Sequence, residues 1–288
     1  MKIAAVTMVY RDHWALSQWY AHFARHLGAE NLFVVAHGAD PALAGICPGA
    51  SIVTVPRDRL DGFDAMRADL LNGLQAGLGA VYDWVIRTDC DELILLDPAR
   101  HSGFADLFAR TEAEALFALG LNIAEAPQDA PLADRGPALP QRRRAVFSGH
   151  YSKAWAVRRP LGLVRHGVAL GRRRVETAPF VLPRGVYLAH LKFAHRAALE
   201  DANRHRRDIA TGPGEGLPGS AWAKPVLAAR KFYQSVEAMP ERPWPEAELA
   251  AWSAITRDPL RDPGKGVLRA RNIRFDWRTR LPAEIAGF

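Results

Sequence analysis

Two carboxylates one residue apart, Asp89 and Asp91, close the segment Trp84-Val85-Ile86-Arg87-Thr88-Asp89-Cys90-Asp91-Glu92-Leu93. An apolar run leads into them, which places the pair at the end of a buried strand. On extended backbone, residues two apart point to the same side. Both carboxylates would then aim at one point. Hard oxygen ligands suit Mg²⁺ or Mn²⁺, ions that keep waters and complete their shell with substrate phosphates. An isolated acidic pair of this spacing is common by chance and reads first as a solvated turn. The elements around it change that weighting.

The chain before the pair alternates strands and helices. Residues 3–10 form an apolar run too short for a secretion signal, with Arg11-Asp12 directly after it. They are predicted to be a first buried strand. Leu16, Trp19, Tyr20, Phe23 and Leu27 share one helical face, and Gly28 is placed to end that helix. Asn31 to Ala36 and Ile52 to Val55 are further strands. Met66, Leu70, Leu74 and Leu78 mark a second amphipathic helix, and Asp83 to Thr88 a fourth strand. This rhythm predicts an α/β fold, a mostly parallel sheet flanked by helices. Ligands on such sheets bind at the carboxyl ends of the strands, which is where the pair stands.

Beyond residue 100 the pattern loosens. A short helix is predicted around Phe104 to Phe108, a strand over 115–121, and short strands at 154–158, 162–170 and 186–191. Residues 125–144 carry four prolines and no periodicity, and read as a long functional or mobile loop. From about residue 196 the chain reads as helical, with Pro245 at a helix start. We therefore expect an α/β domain over 1–200 and a C-terminal helical extension packed on it over 201–288.

Composition bounds the rest. The 288 residues include 49% hydrophobic and 24% charged residues, which excludes wholesale disorder and fibrous repeats. No apolar run reaches the length of a membrane span. Two cysteines, Cys47 and Cys90, make no disulfide framework and read as reduced thiols of a cytoplasmic protein. The net charge is +7, but residues 141–207 alone carry +13. That asymmetry suggests an anionic partner, although a charge run is commonly just a solvated face.

The strand order together with Asp89-x-Asp91 resembles the nucleotide-sugar-binding fold of the A-type glycosyltransferases, and more narrowly the bacterial proteins related to glycosyltransferase family 2. Val6-Thr7-Met8-Val9-Tyr10-Arg11-Asp12 followed by the Trp19 helix matches the family's first strand, polar turn and Trp-containing helix. Leu27-Gly28 matches its Leu-Gly, and Asp89-Cys90-Asp91-Glu92-Leu93 its Asp-x-Asp-Glu-Phe. Arg11-Asp12 departs from the usual Asn-Glu. The resemblance covers about residues 1–200, most sharply the first hundred.

It implies transfer of a sugar from a nucleotide diphosphate donor, a UDP-sugar ahead of a GDP-sugar, with Mn²⁺ or Mg²⁺ bridging the diphosphate. Asp91 would ligate the ion, and Asp89 would hold a metal-bound water or the ribose. Donor contacts would come from Thr7, Val9, Asp12, Asp40, Arg67, Lys153 and His166, the last beside Arg165. His190 would add a nitrogen ligand to the ion. The acceptor would be a glycan or lipid-linked hydroxyl, with room for an acidic one, in bacterial surface or capsular glycan synthesis. A cytoplasmic setting, with peripheral contact at the inner membrane face, follows from the same resemblance. An inverting transfer needs a base, expected at Glu125, then Asp129, with Asp134 in the same loop.

Each residue has a plainer reading. Asp12 and Asp40 are good helix or turn caps, Arg67 a surface helical arginine, and His190 a packed core histidine. The acids of the 125–144 loop read equally as solvated. Among rival functions, a haloacid-dehalogenase-type phosphatase would carry its motif on the first strand. A nucleotidyltransferase would carry a glycine-rich loop near the N-terminus, whereas 7–13 contains no glycine. A basic protein that binds nucleic acid or an anionic glycan without catalysis would use the +13 stretch, with Tyr151, Trp155 and Tyr187 as residues that stack on bases.

Overall fold

Strand β1 (Ile3–Val9) is buried along its whole length, as expected for a central parallel strand covered on both faces. Parallel neighbours flank it on both sides: β2 (Leu32–His37), with Val6 opposite Phe33, and β4 (Trp84–Arg87), with Ala5 opposite Ile86. These coordinates are a computed structural model. They describe residues 1–288 other than 59, 133–135, 165, 213–214, 216 and 218–219, and other than the side chains of 220 and 221. Asp134 and Arg165 lie outside the described residues.

Helix α1 (His13–Leu27) crosses from β1 to β2 and buries Leu16, Trp19 and Phe23. Burial of each such side chain contributes roughly 1.5–3 kcal/mol. Gly28, at φ +86°, ends the helix in a conformation that a Cβ would oppose. The short helix α2 (Leu43–Ile46) precedes edge strand β3 (Ser51–Val55), and α3 (Phe63–Leu78) returns the chain to β4. The predicted periodicities therefore produce the elements expected of them.

After β4 the chain leaves this sheet. Residues 88–91 turn, and β5 (Glu92–Leu96) joins a different sheet. Helix α4 (Phe104–Ala109) follows. The strand predicted over 115–121 is two strands, β6 (Ala115–Phe117) and β7 (Leu119–Ala124), split between the two sheets at Ala118. Next come β8 (Arg144–Phe147), β9 (Ala154–Val157), β10 (Gly162–Val164), β11 (Gly167–Ala169) and β12 (Val186–Phe193). The first sheet runs β3-β2-β1-β4-β9-β6, parallel from β3 to β4 and antiparallel across β9. In the second, β7 and β12 are parallel and β5 and β8 antiparallel neighbours.

The C-terminal part holds helices α5 (Arg196–Ala210), α6 (Ser220–Ala223), α7 (Pro225–Ala238) and α8 (Trp244–Arg257), as predicted, with Pro245 in the first turn of α8. It also holds strands that periodicity missed, being two or three residues long: β13 (Leu260–Asp262), β14 (Val267–Arg269) and β15 (Thr279–Arg280), before α9 (Ala283–Ala286). β14 pairs with β11, completing a small antiparallel sheet β10-β11-β14-β13, and β15 pairs with β8. Both cysteines are buried free thiols. Among the described residues no helix is long and apolar enough to cross a membrane.

Candidate active site

The passage from β4 to β5 forms the floor of a cleft of about 640 Å³. The carboxyl ends of β1, β2 and β4 meet the N-terminal half of α3 on one side and α5 on the other. Trp19 Nε1 donates to Thr88 Oγ1 at 2.9 Å, fastening α1 to the residue before Asp89. The link between α5 and α6 crosses to the start of α3: Gly62 N donates to Glu215 O at 2.8 Å, and Glu215 N to Asp61 Oδ1 at 2.9 Å.

Asp89 and Asp91 both line this cleft, but not as an extended strand end would place them. Glu92 N donates to Asp89 O at 3.0 Å, and Asp89 N to Glu92 Oε2 at 3.0 Å. The tight turn separates the two carboxylates into different partner sets. Asp89 pairs with Arg67 and, at 3.2 Å, with Lys153. Burial raises its pKa, but these two cations outweigh burial and hold it well below the usual carboxylate range. Lys153 also meets the fully buried Glu92 at 2.8 Å. Burial pushes Glu92 up to about 7, Lys153 only partly offsetting it.

Asp91 faces the other way. Its Oδ2 lies 3.4 Å from His190 Nε2 and 3.4 Å from Arg206 Nη2, and Arg206 Nη2 also reaches Asp12 Oδ2 at 3.5 Å. Burial opposes ionisation of Asp91, yet attraction to His190 and Arg206 brings it to about 2. Burial lowers the His190 pKa, with Asp91 opposing. When the ring is neutral, Arg206 is the cation beside Asp91. The pKa of Asp12, half-buried near Asp91, rises to about 6, with desolvation the main cause and Arg206 opposing it.

The tautomer of His190 follows from its other nitrogen. His190 Nδ1 lies 2.8 Å from Asn122 Oδ1, which only accepts. In the neutral ring Nδ1 then carries the hydrogen, and Nε2 presents a lone pair to Asp91. Tyr151 stacks on the ring at 3.8 Å. That stack depends on Gly120 of β7, where a Cβ would stand 2.3 Å from Tyr151 C.

A lone pair and a carboxylate facing one another at 3.4 Å are the donor set of a cation. The nitrogen–oxygen pair fits a divalent ion such as Mn²⁺ that takes its other ligands from water and phosphate. No group of three or more His, Cys, Asp or Glu suited to a metal occurs among the described residues, so such an ion would be held by two protein ligands.

The other expected site residues divide. Val9, Asp12, Arg67, Lys153 and His166 line the cleft with Asp89, Asp91 and His190. Thr7 is fully buried within β1. Asp40 pairs with His13 at 2.7 Å and accepts from Ala42 N, the plainer turn-cap role. Neither lines the cleft. Glu125 and Asp129 also lie outside its lining. Glu125 accepts from Arg196 N at 3.0 Å, Asp129 from Ala126 N at 2.7 Å, and the buried Arg142 lies 3.8 Å from each. These acids tie the 125–142 loop to the start of α5.

Sequence reasoning missed Asn122, Arg206, Lys192 and Glu92 as site residues. Lys192 carried a usable signal, since it stands two residues from His190 on one strand. Asn122 and Arg206 carried none. Within the basic stretch 141–207, Arg142, Arg144, Arg158, Arg159 and Arg174 are engaged by carbonyls or carboxylates of the protein itself.

No protein-family model matches the chain, and no curated protein does. Solved structures do resemble it. 4-Diphosphocytidyl-2C-methyl-D-erythritol synthase is 15% identical with a TM-score of 0.30, and the match covers 47% of this chain and 66% of that one. CMP:2-keto-3-deoxy-manno-octonic acid synthetase complexed with CTP is 14% identical over 81% and 86%, TM-score 0.30. TarS of S. aureus is 14% identical over 55% and 28%, TM-score 0.33. Likenesses of this size leave the functional reading to rest on the site.

Proposed function

We propose that the protein is a metal-dependent glycosyltransferase that moves a sugar from a nucleotide diphosphate donor to an acceptor hydroxyl. The observation that carries this reading is the pairing of Asp91 with the lone-pair nitrogen of His190 at the head of a cleft lined by Arg67 and Lys153. Mn²⁺ or Mg²⁺ held there would neutralise charge on the departing diphosphate. Arg67 and Lys153 add positive charge beside Asp89 on the flank of the cleft. A UDP-sugar is the expected donor, as the resemblance of the first hundred residues implies.

In this reading the acceptor oxygen bonds to the anomeric carbon, the bond from that carbon to the diphosphate breaks, and the nucleoside diphosphate leaves. The acceptor proton goes to a base. We assign that role to Asp12 in place of Glu125 and Asp129, because Asp12 lines the cleft and has a pKa of about 6, close to the working pH a general base needs.

Calorimetric titration of UDP and then GDP, with and without Mn²⁺, tests the reading on wild type and Asp91→Ala. Mn²⁺-dependent binding that falls at least tenfold in the variant is expected. Asp12→Asn should keep that binding and lose transfer at least a hundredfold. Absence of nucleotide binding under every metal condition would sink the assignment. Release of pyrophosphate from a free nucleoside triphosphate would move it to nucleotidyl transfer.

A further inference from the structure

Strand β12 carries His190 and Lys192 two residues apart, hence on one face, and both line the cleft. Lys192 is partly buried. Among the described residues it makes no hydrogen bond or ion pair, and its ammonium stands 5.3 Å from the centre of the Phe193 ring. An ammonium withdrawn from water without a paired counter-charge is unfavourable until a ligand brings one.

The other described lysines and arginines of the cleft lining are engaged. Arg67 pairs with Asp89, Lys153 with Asp89 and Glu92, and Arg87 donates to Asn72 Oδ1 and Leu163 O. Arg206 is shared between Asp91 and Asp12, and its Nη1 is buried without a partner. Asp91 and His190 would hold an ion whose remaining ligands come from water and phosphate. Phosphates of the donor then lie beside Lys192 and Arg206, which line the same cleft. Asp91 is neutralised by the ion and Asp12 by Arg206, which leaves Lys192 to the donor.

Position says which phosphate. Tyr10 and His37 line the cleft at the carboxyl ends of β1 and β2, in the first sheet, where a nucleoside is expected to lie. Strand β12 belongs to the second sheet. The phosphate nearer to Lys192 is therefore the one farther from the nucleoside.

We propose that Lys192, with Arg206 beside it, is a catalytic residue that holds the distal phosphate of the donor and stabilises it as the leaving group. The bond from the anomeric carbon to the distal-phosphate oxygen breaks, its electron pair stays on that oxygen, and Lys192 keeps its protons. The charge that appears there strengthens the contact with an otherwise unpaired ammonium, so the departing diphosphate gains more from it than the bound donor does. This rests on the glycosyltransferase reading, to which it adds a residue that acts on the leaving group.

The test compares UDP with UMP by titration calorimetry on the full chain saturated with Mn²⁺. Wild type should bind UDP more tightly than UMP. Lys192→Met should weaken UDP at least tenfold and UMP less than twofold, and Lys192→Arg should restore most of the UDP affinity. Retained UMP binding is the control for folding, and Lys192→Gln, a second variant with a polar tip, should show the same split. Unchanged UDP affinity in Lys192→Met and Lys192→Gln would overturn the proposal alone. So would equal loss of UDP and UMP in both, which would make Lys192 a structural residue. Failure of UDP to bind wild type would instead remove the underlying functional reading, and the role of Lys192 with it.

Discussion

His190 Nδ1 lies 2.8 Å from Asn122 Oδ1, and this contact holds the ring with Nε2 turned toward Asp91. Asn122 and His190 are register partners on the parallel strands β7 and β12. The sheet itself thus positions the hydrogen bond that orients the candidate metal ligand. Partners of this kind typically contribute 10–100-fold to metal affinity.

Asn122→Leu should therefore weaken Mn²⁺ binding in the presence of UDP by roughly 10–100-fold. Asn122→Asp keeps an acceptor at the same place and should stay within about tenfold of wild type. Titration calorimetry compares the two. Equal affinity in wild type and Asn122→Leu would show that the ring needs no such orientation.

Gly120 is where β7 lets the 148–152 turn come close. Gly120 N donates to Ser152 Oγ, and Ser148 N to Gly120 O, both at 2.9 Å. An added Cβ would meet backbone atoms at 2.3 and 2.6 Å, and backbone cannot yield as a flexible side chain does. Gly120→Ala should cost about 1–3 kcal/mol by overpacking, seen in urea unfolding. Because Tyr151 leaves its place over His190, Mn²⁺ affinity should fall as well. An unchanged unfolding midpoint would refute the close approach.

Glu92 makes a pH prediction whose sign differs from that of an ordinary paired carboxylate. Its folded pKa, about 7, lies above the ordinary value of 4.5, so the folded state holds a proton that the unfolded state releases between those values. Its contribution to stability is full below about pH 4.5 and is lost as pH rises through 7. Glu92→Gln removes that loss. The stability of the variant relative to wild type should rise by on the order of 2–3 kcal/mol between pH 4.5 and 7.5. Urea titrations at both pH values read the difference. A constant difference would mean that Lys153 keeps Glu92 ionised throughout.

Much of the first sheet was legible in the residues. The apolar run of β1, the single face of Leu16, Trp19 and Phe23, and the Leu70 to Leu78 spacing are local patterns, and local backbone geometry enforces them. The acidic pair was visible for the same reason, being contiguous and placed after an apolar strand. Asp91 stands beside His190, and Arg67 and Lys153 line the cleft. Two local readings failed at turns. Residues 115–124 split between two sheets at Ala118, and the Asp89–Glu92 hydrogen bonds bent the expected strand end, sending the two carboxylates to different partners.

The sequence by itself determined the α/β framework and the acidic turn at a strand end, because period-2 and period-3.6 patterns and a chain-adjacent motif need no knowledge of distant contacts. Only the tertiary structure decided which cations and which imidazole nitrogen meet that turn. Asn122 stands 68 residues from His190, and Arg206 stands 115 from Asp91. Nothing in either local sequence encodes such a meeting. It arises from the parallel register of β7 with β12 and from the packing of α5 over the cleft, and the same packing holds Glu125 and Asp129 against Arg142 and Arg196, outside the cleft lining.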